Sequence, residues 1–268
     1  MPNTLSVAIV AHNEAENLAR TLDSVTWADE IVLLDSGSTD TTLDIAHEFG
    51  CTIYQEPWKG YGGQVNSALD KATHPWILNL DADEVVSPEL AEEIQTLLAD
   101  TPAYSGYTLP RLNNIFGRWM RHGGLYPDHK LRLFRQGFAR LREDTEPHAT
   151  PKPTGPTAPL RHPLLHYQYP TLDAYIEHMH RYSTASVPLM VARGKTSPTP
   201  LSFITNTLLN PALTFVYNYI IRLGFLDGRE GLTFHLNHAL YVNWKYVKAR
   251  AWAERNRQNG PPSASKAI

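Results

Sequence analysis

Four short apolar runs, each followed by a helical stripe or a polar loop, constrain the first hundred residues more than any other feature. Leu5–Ala11 (LSVAIVA) is β-branched, long enough for a buried strand and too short for a helix. Residues 14–25 then place Ala15, Leu18, Ala19 and Leu22 on one helical stripe. Glu30–Asp35 (EIVLLD) is a second strand, residues 43–49 a helix, and Gly50 stands where a C-cap glycine belongs. Residues 51–55, the glycine-rich PWKGYGG and residues 64–72 repeat the unit. Residues 76–80 (WILNL) form a fourth strand, and Ser87-Pro88 caps a fourth helix. Near-continuous apolar strands alternating with helices predict an α/β chain with a doubly wound, mainly parallel sheet. In such sheets ligands bind outside the carboxyl ends of the strands. His12, Asn13, Glu14, Asp35, Ser36, Gly37 and residues 81–83 all stand at such ends.

The rest of the chain reads differently. Residues 106–110, 129–134 and 139–142 suggest short strands of a mixed region, and the proline-rich residues 149–163 a loop. Residues 172–185 are helical in period, and residues 196–221 carry no charge. With 268 residues, 42% of them hydrophobic, the chain can bury a sizeable core. Its one cysteine excludes a disulfide framework or a cysteine-based metal cluster. The start, MPNTLSVAIVAHNE, has neither the basic nor the long apolar region of a signal peptide, so a reducing compartment is expected. The net charge of −3 hides an asymmetry: residues 1–192 sum to −10 and residues 193–268 to +7. That pattern suggests either an acidic catalytic body with a surface-seeking tail, or two faces of one fold that attract each other.

Asp81-Ala82-Asp83 is the sharpest motif. Two carboxylates one residue apart at a strand end suit a divalent cation held together with substrate phosphates. The plain structural alternative is an acidic cluster at the start of the next helix. Asp35-Ser36-Gly37 offers hydrogen bonds to a nucleobase or ribose, or else a βα loop in which Asp40 and Thr41 cap a helix. In His12-Asn13-Glu14, Asn13 is equally a candidate N-cap with Glu16 at its N3 position. Several phosphate and hydrolase folds are excluded by their own signatures. The chain has no GxxxxGK[ST], no GxGxxG after the first strand, no GxSxG and no HExxH.

Strand–AHNE, strand–DSGSTD and strand–DADE, in this order and spacing, resemble family 2 glycosyltransferases of the GT-A nucleotide-diphospho-sugar transferase fold. Residues 119–128 (WMRHGGLYPD), LRLFR at 131–135, LHY at 165–167, RYST at 181–184 and GFLDG at 224–228 narrow the resemblance. They are similar to the small lipopolysaccharide-core β-1,4-glucosyltransferases, to about residue 250. The resemblance implies a catalytic domain over 1–195, with a nucleotide-binding half (1–100) and an acceptor half (101–195). A helical extension follows over 196–268. It implies a nucleotide-sugar donor, UDP-glucose by family default, and Mg²⁺ or Mn²⁺. The nucleotide falls to Ala11, Asn13, Glu14, Asp35, Gly37, Asp81 and Ala82. Asp83 is the implied metal ligand, and His166 either completes the metal site or is an inert strand-end histidine.

The implied chemistry is an inverting displacement in which a carboxylate deprotonates the acceptor hydroxyl. The family places that base in Arg142-Glu143-Asp144-Thr145-Glu146, with Asp144 ahead of Glu146. Relatives carry a His-Glu pair nearby, whereas His148 here is followed by Ala149. Arg121, His122, Arg132 and Arg135 are candidates for diphosphate or acceptor contacts, or for a basic face packed on the acidic body. No QxxRW element is present, which favours addition of a single sugar to a lipid-linked saccharide. Transfer to a polyprenyl phosphate and a non-catalytic sugar-nucleotide module are the alternatives, and no nucleic acid is expected.

Residues 201–226 are apolar but interrupted by Asn206, Asn210, Pro211, Asn218 and Arg222, so a spanning helix is not expected. Their aromatics, with Trp244 to Arg250, suit an interfacial helix pair on the inner face of the cytoplasmic membrane. Packing on the catalytic domain or in a homodimer is the other use of the same residues.

Overall fold

A computed structural model describes residues 3–142 and 151–259. The chain begins as β1 (Leu5–Ala11), α1 (Ala15–Asp23), β2 (Glu30–Asp35), α2 (Thr42–Glu48), β3 (Thr52–Gln55) and α3 (Tyr61–Lys71). β4 (Trp76–Asp81), β5 (Glu84–Val86) and α4 (Pro88–Ala99) follow. The predicted alternation is met, and β3, β2, β1 and β4 pair in parallel in that order. Successive residues of β1 face opposite sides. Leu5, Val7, Ile9 and Ala11 pack with Leu18 and Leu22 of α1 and with Leu90 and Ile94 of α4. Ala8 faces the other core, with Val65 and Ala68 of α3. Register then levels the strand ends: Ala11 lies opposite Asp35, and Val10 opposite Asp81. Ser87 caps α4 as expected, its side chain accepting from the Leu90 amide at 3.2 Å. Gly50 follows α2 with φ +69°, which suits a residue without Cβ.

β6 (Gly106–Ile115), β7 (Arg118–Trp119), β8 (Asp128–Arg135), β9 (Ala139–Arg140), β10 (Lys152–Pro153), β11 (Ala158–Pro159) and β12 (Leu164–Tyr169) come next. β8 joins β4 antiparallel, and the sheet continues as β8-β6-β12-β5. The stretch expected as a loop over residues 149–163 holds two of these short strands. Prolines lack an amide proton, so carbonyls and neighbouring amides make the bonds: Thr154 donates to Phe138 at 3.0 Å and Leu160 to Thr108 at 2.8 Å.

The described residues fall into two compact units. One runs to Asn113 and includes Tyr126–Gln168; the other holds Asn114–Leu125 and the chain from Tyr169. α5 (Leu172–Ala185), as predicted, and α6 (Val187–Ala192) belong to the second unit. This unit has its own core of Ile115, Met120, Tyr169, Tyr175 and Phe234. A helical run follows: α7 (Pro200–Ile204), a π-helical turn (Thr205–Leu209), α8 (Asn210–Phe215) and a second π-helical turn (Val216–Ile221). Pro211 has no amide proton for the carbonyl four residues back, that of Thr207. Asn243 of the long α9 (Gly228–Asn259) supplies the missing donor at 2.7 Å. The π geometry sits where this ladder is interrupted.

Candidate active site

The loop after β1 is bonded to the loop after β2. Asn13 adopts φ +57°, its side-chain oxygen accepts from the Thr39 amide at 2.8 Å, and its own amide donates to Ser38 Oγ at 2.8 Å. The Glu14 amide donates to Thr42 Oγ1 at 2.8 Å, and the Ala15 amide to Asp40 at 3.2 Å. Asn13 is thus not the cap of α1, as the capping-box pattern suggested. The tertiary contact between loops wins, and Asp40 serves both helix starts, also accepting from the Thr42 amide at 3.0 Å. Asp35 is fully buried. Its carboxylate accepts from the Gly37 amide at 2.9 Å and the Ser38 amide at 3.1 Å, so it braces its own loop.

Beside these loops lies a cavity of about 220 Å³. Ala11, His12, Glu14 and Ser36 line it from the first two strand ends, and Asp81, Ala82 and Asp83 from the fourth. His166 of β12 closes it. Burial pushes the Glu14 carboxyl up to about 7, and the charges of Asp83 and Asp81 add to the rise while Asn17 opposes it. Asp81 goes the other way. Its burial would raise it, but Arg132, with His166 and Arg111, holds it below the usual carboxylate range.

Arg132 carries this effect through contact. Its guanidinium pairs with Asp81 and, at 2.7 Å, with the fully buried Glu84. Arg111 extends the chain, 3.4 Å from Glu84 and 2.9 Å from Asp128. All five members come from β4, β5, β6 and β8, so the sheet itself assembles the network; Asp128 opens β8.

His166 Nε2 lies 3.2 Å from Asp83 Oδ2. The other ring nitrogen, Nδ1, donates to Asn113 Oδ1 at 2.8 Å. Nε2 therefore either carries a second proton for Asp83 or turns a lone pair toward a cation. Among the described residues no group of three acidic, histidine or cysteine side chains could hold a metal. One carboxylate and one imidazole fit Mg²⁺ or Mn²⁺ when diphosphate oxygens complete the shell.

The remaining candidates are dispersed. Arg135 pairs with Trp76 at the far end of β4 and lies over its ring at 5.0 Å, about 16 Å of strand from Asp81. Arg121 and His122 lie in the second unit, where their amides donate to Asp227 at 3.2 and 2.8 Å. His122 Nδ1 meets the same carboxylate at 2.9 Å. Gly37 is in the braced loop, at φ +100°. Asp144 and Glu146 lie outside the described residues. Among the lining residues that the sequence did not single out are three with polar groups: Trp58, Tyr61 and Asn79. Trp58 and Tyr61 follow the carboxyl end of β3, the signal that singled out the other loops. Asn79 Oδ1 is buried without a partner in the protein, although its Nδ2 donates to Ala8 at 3.3 Å.

The model of glycosyl transferase family 2 matches residues 6–165. The chain belongs to that family. The enzyme is 29% identical over 272 residues to the lipopolysaccharide core biosynthesis glycosyltransferase LpsC of Rhizobium meliloti, covering 98% of this chain and 97% of that one. It is 43% identical over 96 residues to an uncharacterized glycosyltransferase of Rickettsia felis, covering 35% of this chain and 34% of the other. Its fold is that of the mannosyltransferase PcManGT of Pyrobaculum calidifontis, solved with GDP-mannose and Mn²⁺. That match has a TM-score of 0.53 at 14% identity and covers 93% and 87% of the two chains. The enzyme is a nucleotide-sugar glycosyltransferase with a GT-A fold, and its cavity lies outside the carboxyl ends of the strands, where open α/β sheets bind ligands.

Proposed function

We propose that the enzyme moves one sugar, with inversion, from a uridine diphosphate sugar such as UDP-glucose to a hydroxyl of a lipid-linked saccharide, as in the lipopolysaccharide core. One observation carries the donor half: three carboxylates from two strand ends, Glu14 after β1 and Asp81 and Asp83 at the end of β4, meet His166 around one cavity of nucleotide-binding position. Ala11, Glu14 and Ser36 flank the nucleoside, with Asn13 and Gly37 holding the loops and Asp35 bracing them. Asp83 and His166 would hold Mg²⁺ or Mn²⁺, which would offset charge on the departing diphosphate. Asp81 stays ionised beside Arg132 and accepts from a ribose hydroxyl. The acceptor oxygen bonds to the anomeric carbon as the bond to the diphosphate breaks on the opposite face. The acceptor's proton passes to a carboxylate, Asp144 in this reading and Glu146 next. Arg121 and His122 remain the acceptor-side candidates.

The acceptor half is supported by the full-length similarity to LpsC. A lipid-linked core is presented at the inner face of the cytoplasmic membrane, and the enzyme acts there in this reading. No helix among the described residues is long and apolar enough to cross a membrane. Thermal unfolding with nucleoside diphosphates and sugar-nucleotides, with and without Mn²⁺, tests the donor site. A ligand at a hundredfold excess over Kd adds about 2.7 kcal/mol of stability. A rise with uridine compounds that needs both Mn²⁺ and Asp83 is the expected result. No shift with any nucleotide, in wild type and Asp83→Ala alike, ends the proposal.

A further inference from the structure

The helical run over residues 200–221 is amphipathic in the wrong sense for water. Its outward stripe is wholly apolar: Leu201, Ile204, Leu208, Leu213, Val216 and Ile220 recur at helical spacing, with Leu201 76% and Leu208 64% exposed. Three of its polar residues, Asn206, Thr207 and Asn210, are withdrawn from the exposed stripe and partnered. Thr207 is buried, Asn206 donates to Ser197 at 3.0 Å, and Asn210 donates to Asn206 at 2.8 Å. A helix of a protein surrounded by water buries its apolar stripe instead. The antiparallel partner α9 does the same in part, exposing Leu232, Leu236 and Leu240 four residues apart. The pairing of the two is fixed at Thr207–Asn243 and by Arg250 stacked 4.6 Å from the Phe203 ring. The stripe is about 30 Å long, larger than the scattered apolar exposure of ordinary surfaces.

We infer that this stripe is a docking surface for an anionic lipid bilayer, lying in the interface without crossing it. The charges select that occupant. No charged residue occurs in residues 196–221, while exposed Arg193 and Lys195 precede the stripe and exposed Arg222 ends it. Cations bracketing an apolar face match anionic headgroups around an acyl layer. A second copy of the same stripe fits less well. Either orientation of a two-fold pairing sets one cationic end against another. The inward asparagines keep the run from being apolar all round, in keeping with a face that only lies on lipid. The inference rests on the lipid-linked acceptor only for which membrane is meant; the surface stands on the exposure pattern itself.

Flotation of the full chain with vesicles of phosphatidylglycerol and phosphatidylethanolamine tests it, against vesicles of phosphatidylcholine alone. The full chain is expected to float with the anionic vesicles, less so in high salt. The pair Leu208→Asp and Leu213→Asp should lower the partition coefficient at least tenfold while leaving the thermal shift with UDP and Mn²⁺ unchanged. If the aspartates unfold the run, Leu208→Gln with Leu213→Gln carries the same expectation. A chain that stays unbound, or variants that float as well as wild type, overturn the inference. So does a dimer in sedimentation that the same substitutions dissociate when wild type ignores vesicles. Flotation without any sugar transfer leaves docking intact and removes the transferase reading. Transfer to a detergent-soluble acceptor without flotation does the reverse.

Discussion

His166 Nε2 stands 3.2 Å from Asp83 Oδ2 because Asn113 takes the proton of the opposite ring nitrogen. All three side chains come from separate strands or strand ends, and two of them, His166 and Asn113, are buried. A histidine so held presents one fixed nitrogen to the cavity. Outer partners of this kind are worth about 10–100-fold in metal affinity. Asn113→Leu should weaken Mn²⁺ binding in the presence of UDP by that order, measured by electron paramagnetic resonance. Asn113→Asp, which keeps an acceptor oxygen, should retain most of it. Equal affinity in wild type and Asn113→Leu would show that His166 plays no part in holding the ion.

Arg132 is the hub of the acidic side of the cavity. Removing one partner of a buried ion pair leaves uncompensated charge and costs about 3–5 kcal/mol. Arg132→Met should strand Glu84, which is fully buried, and Asp81 beside it. Calorimetry should record a melting temperature lower by several degrees, since about 1 kcal/mol shifts a chain of this size by 2–4 °C. The loss should be larger at pH 7 than at pH 3, where the carboxylates take up protons. A melting point unmoved at pH 7 would contradict the network.

Glu14 gives the opposite pH dependence. Its carboxyl sits at about 7 in the folded chain against 4.5 for the ordinary group. The folded state therefore binds this proton more tightly than the unfolded state. The resulting stability is present below pH 4.5 and is lost as pH rises through 7. The full span is at most about 3 kcal/mol, at 1.36 kcal/mol per unit. Glu14→Gln should raise the melting temperature of the ligand-free enzyme at pH 8 and leave it nearly unchanged at pH 4. A variant that melts below wild type at pH 8 would contradict this.

The Pro211–Thr207–Asn243 arrangement predicts a non-additive pair. Asn243→Leu leaves the Thr207 carbonyl without a donor, which costs about 1–3 kcal/mol. Pro211→Ala restores the intrahelical amide. In the Asn243→Leu background it should recover part of that loss, whereas in wild type it has no orphaned carbonyl to satisfy. Denaturant unfolding of the two single variants and the double variant reads the coupling. Strictly additive effects would show that the two residues do not share that carbonyl.

The first hundred residues carried their fold in local terms. Period-two burial fixed which side chains of β1 and β2 face each core. Turn and cap residues such as Gly50 and Ser87-Pro88 fixed where helices stop and start. Because parallel strands in register bring their carboxyl ends level, Glu14, Asp81 and Asp83 could be assigned to one place from sequence. What each side chain does there is a tertiary matter. Asp35 braces a loop, Arg132 neutralises Asp81 and Glu84, and Arg135 lies at the wrong end of β4, although both arginines belong to one LRLFR motif. Alternation along a strand states which face a residue takes, but not which partner strand lies beside it or at which end the site opens. Asn113 and Asn79 were invisible because a buried amide earns its role only from a neighbour brought by another strand. The apolar residues of 201–221 were plain in the sequence, yet the sequence is equally compatible with burying them. Only the pairing of this run with α9 turns its asparagines and Thr207 inward and its leucines out, because side-chain amides that bond Ser197 and a proline-freed carbonyl claim the inner face first.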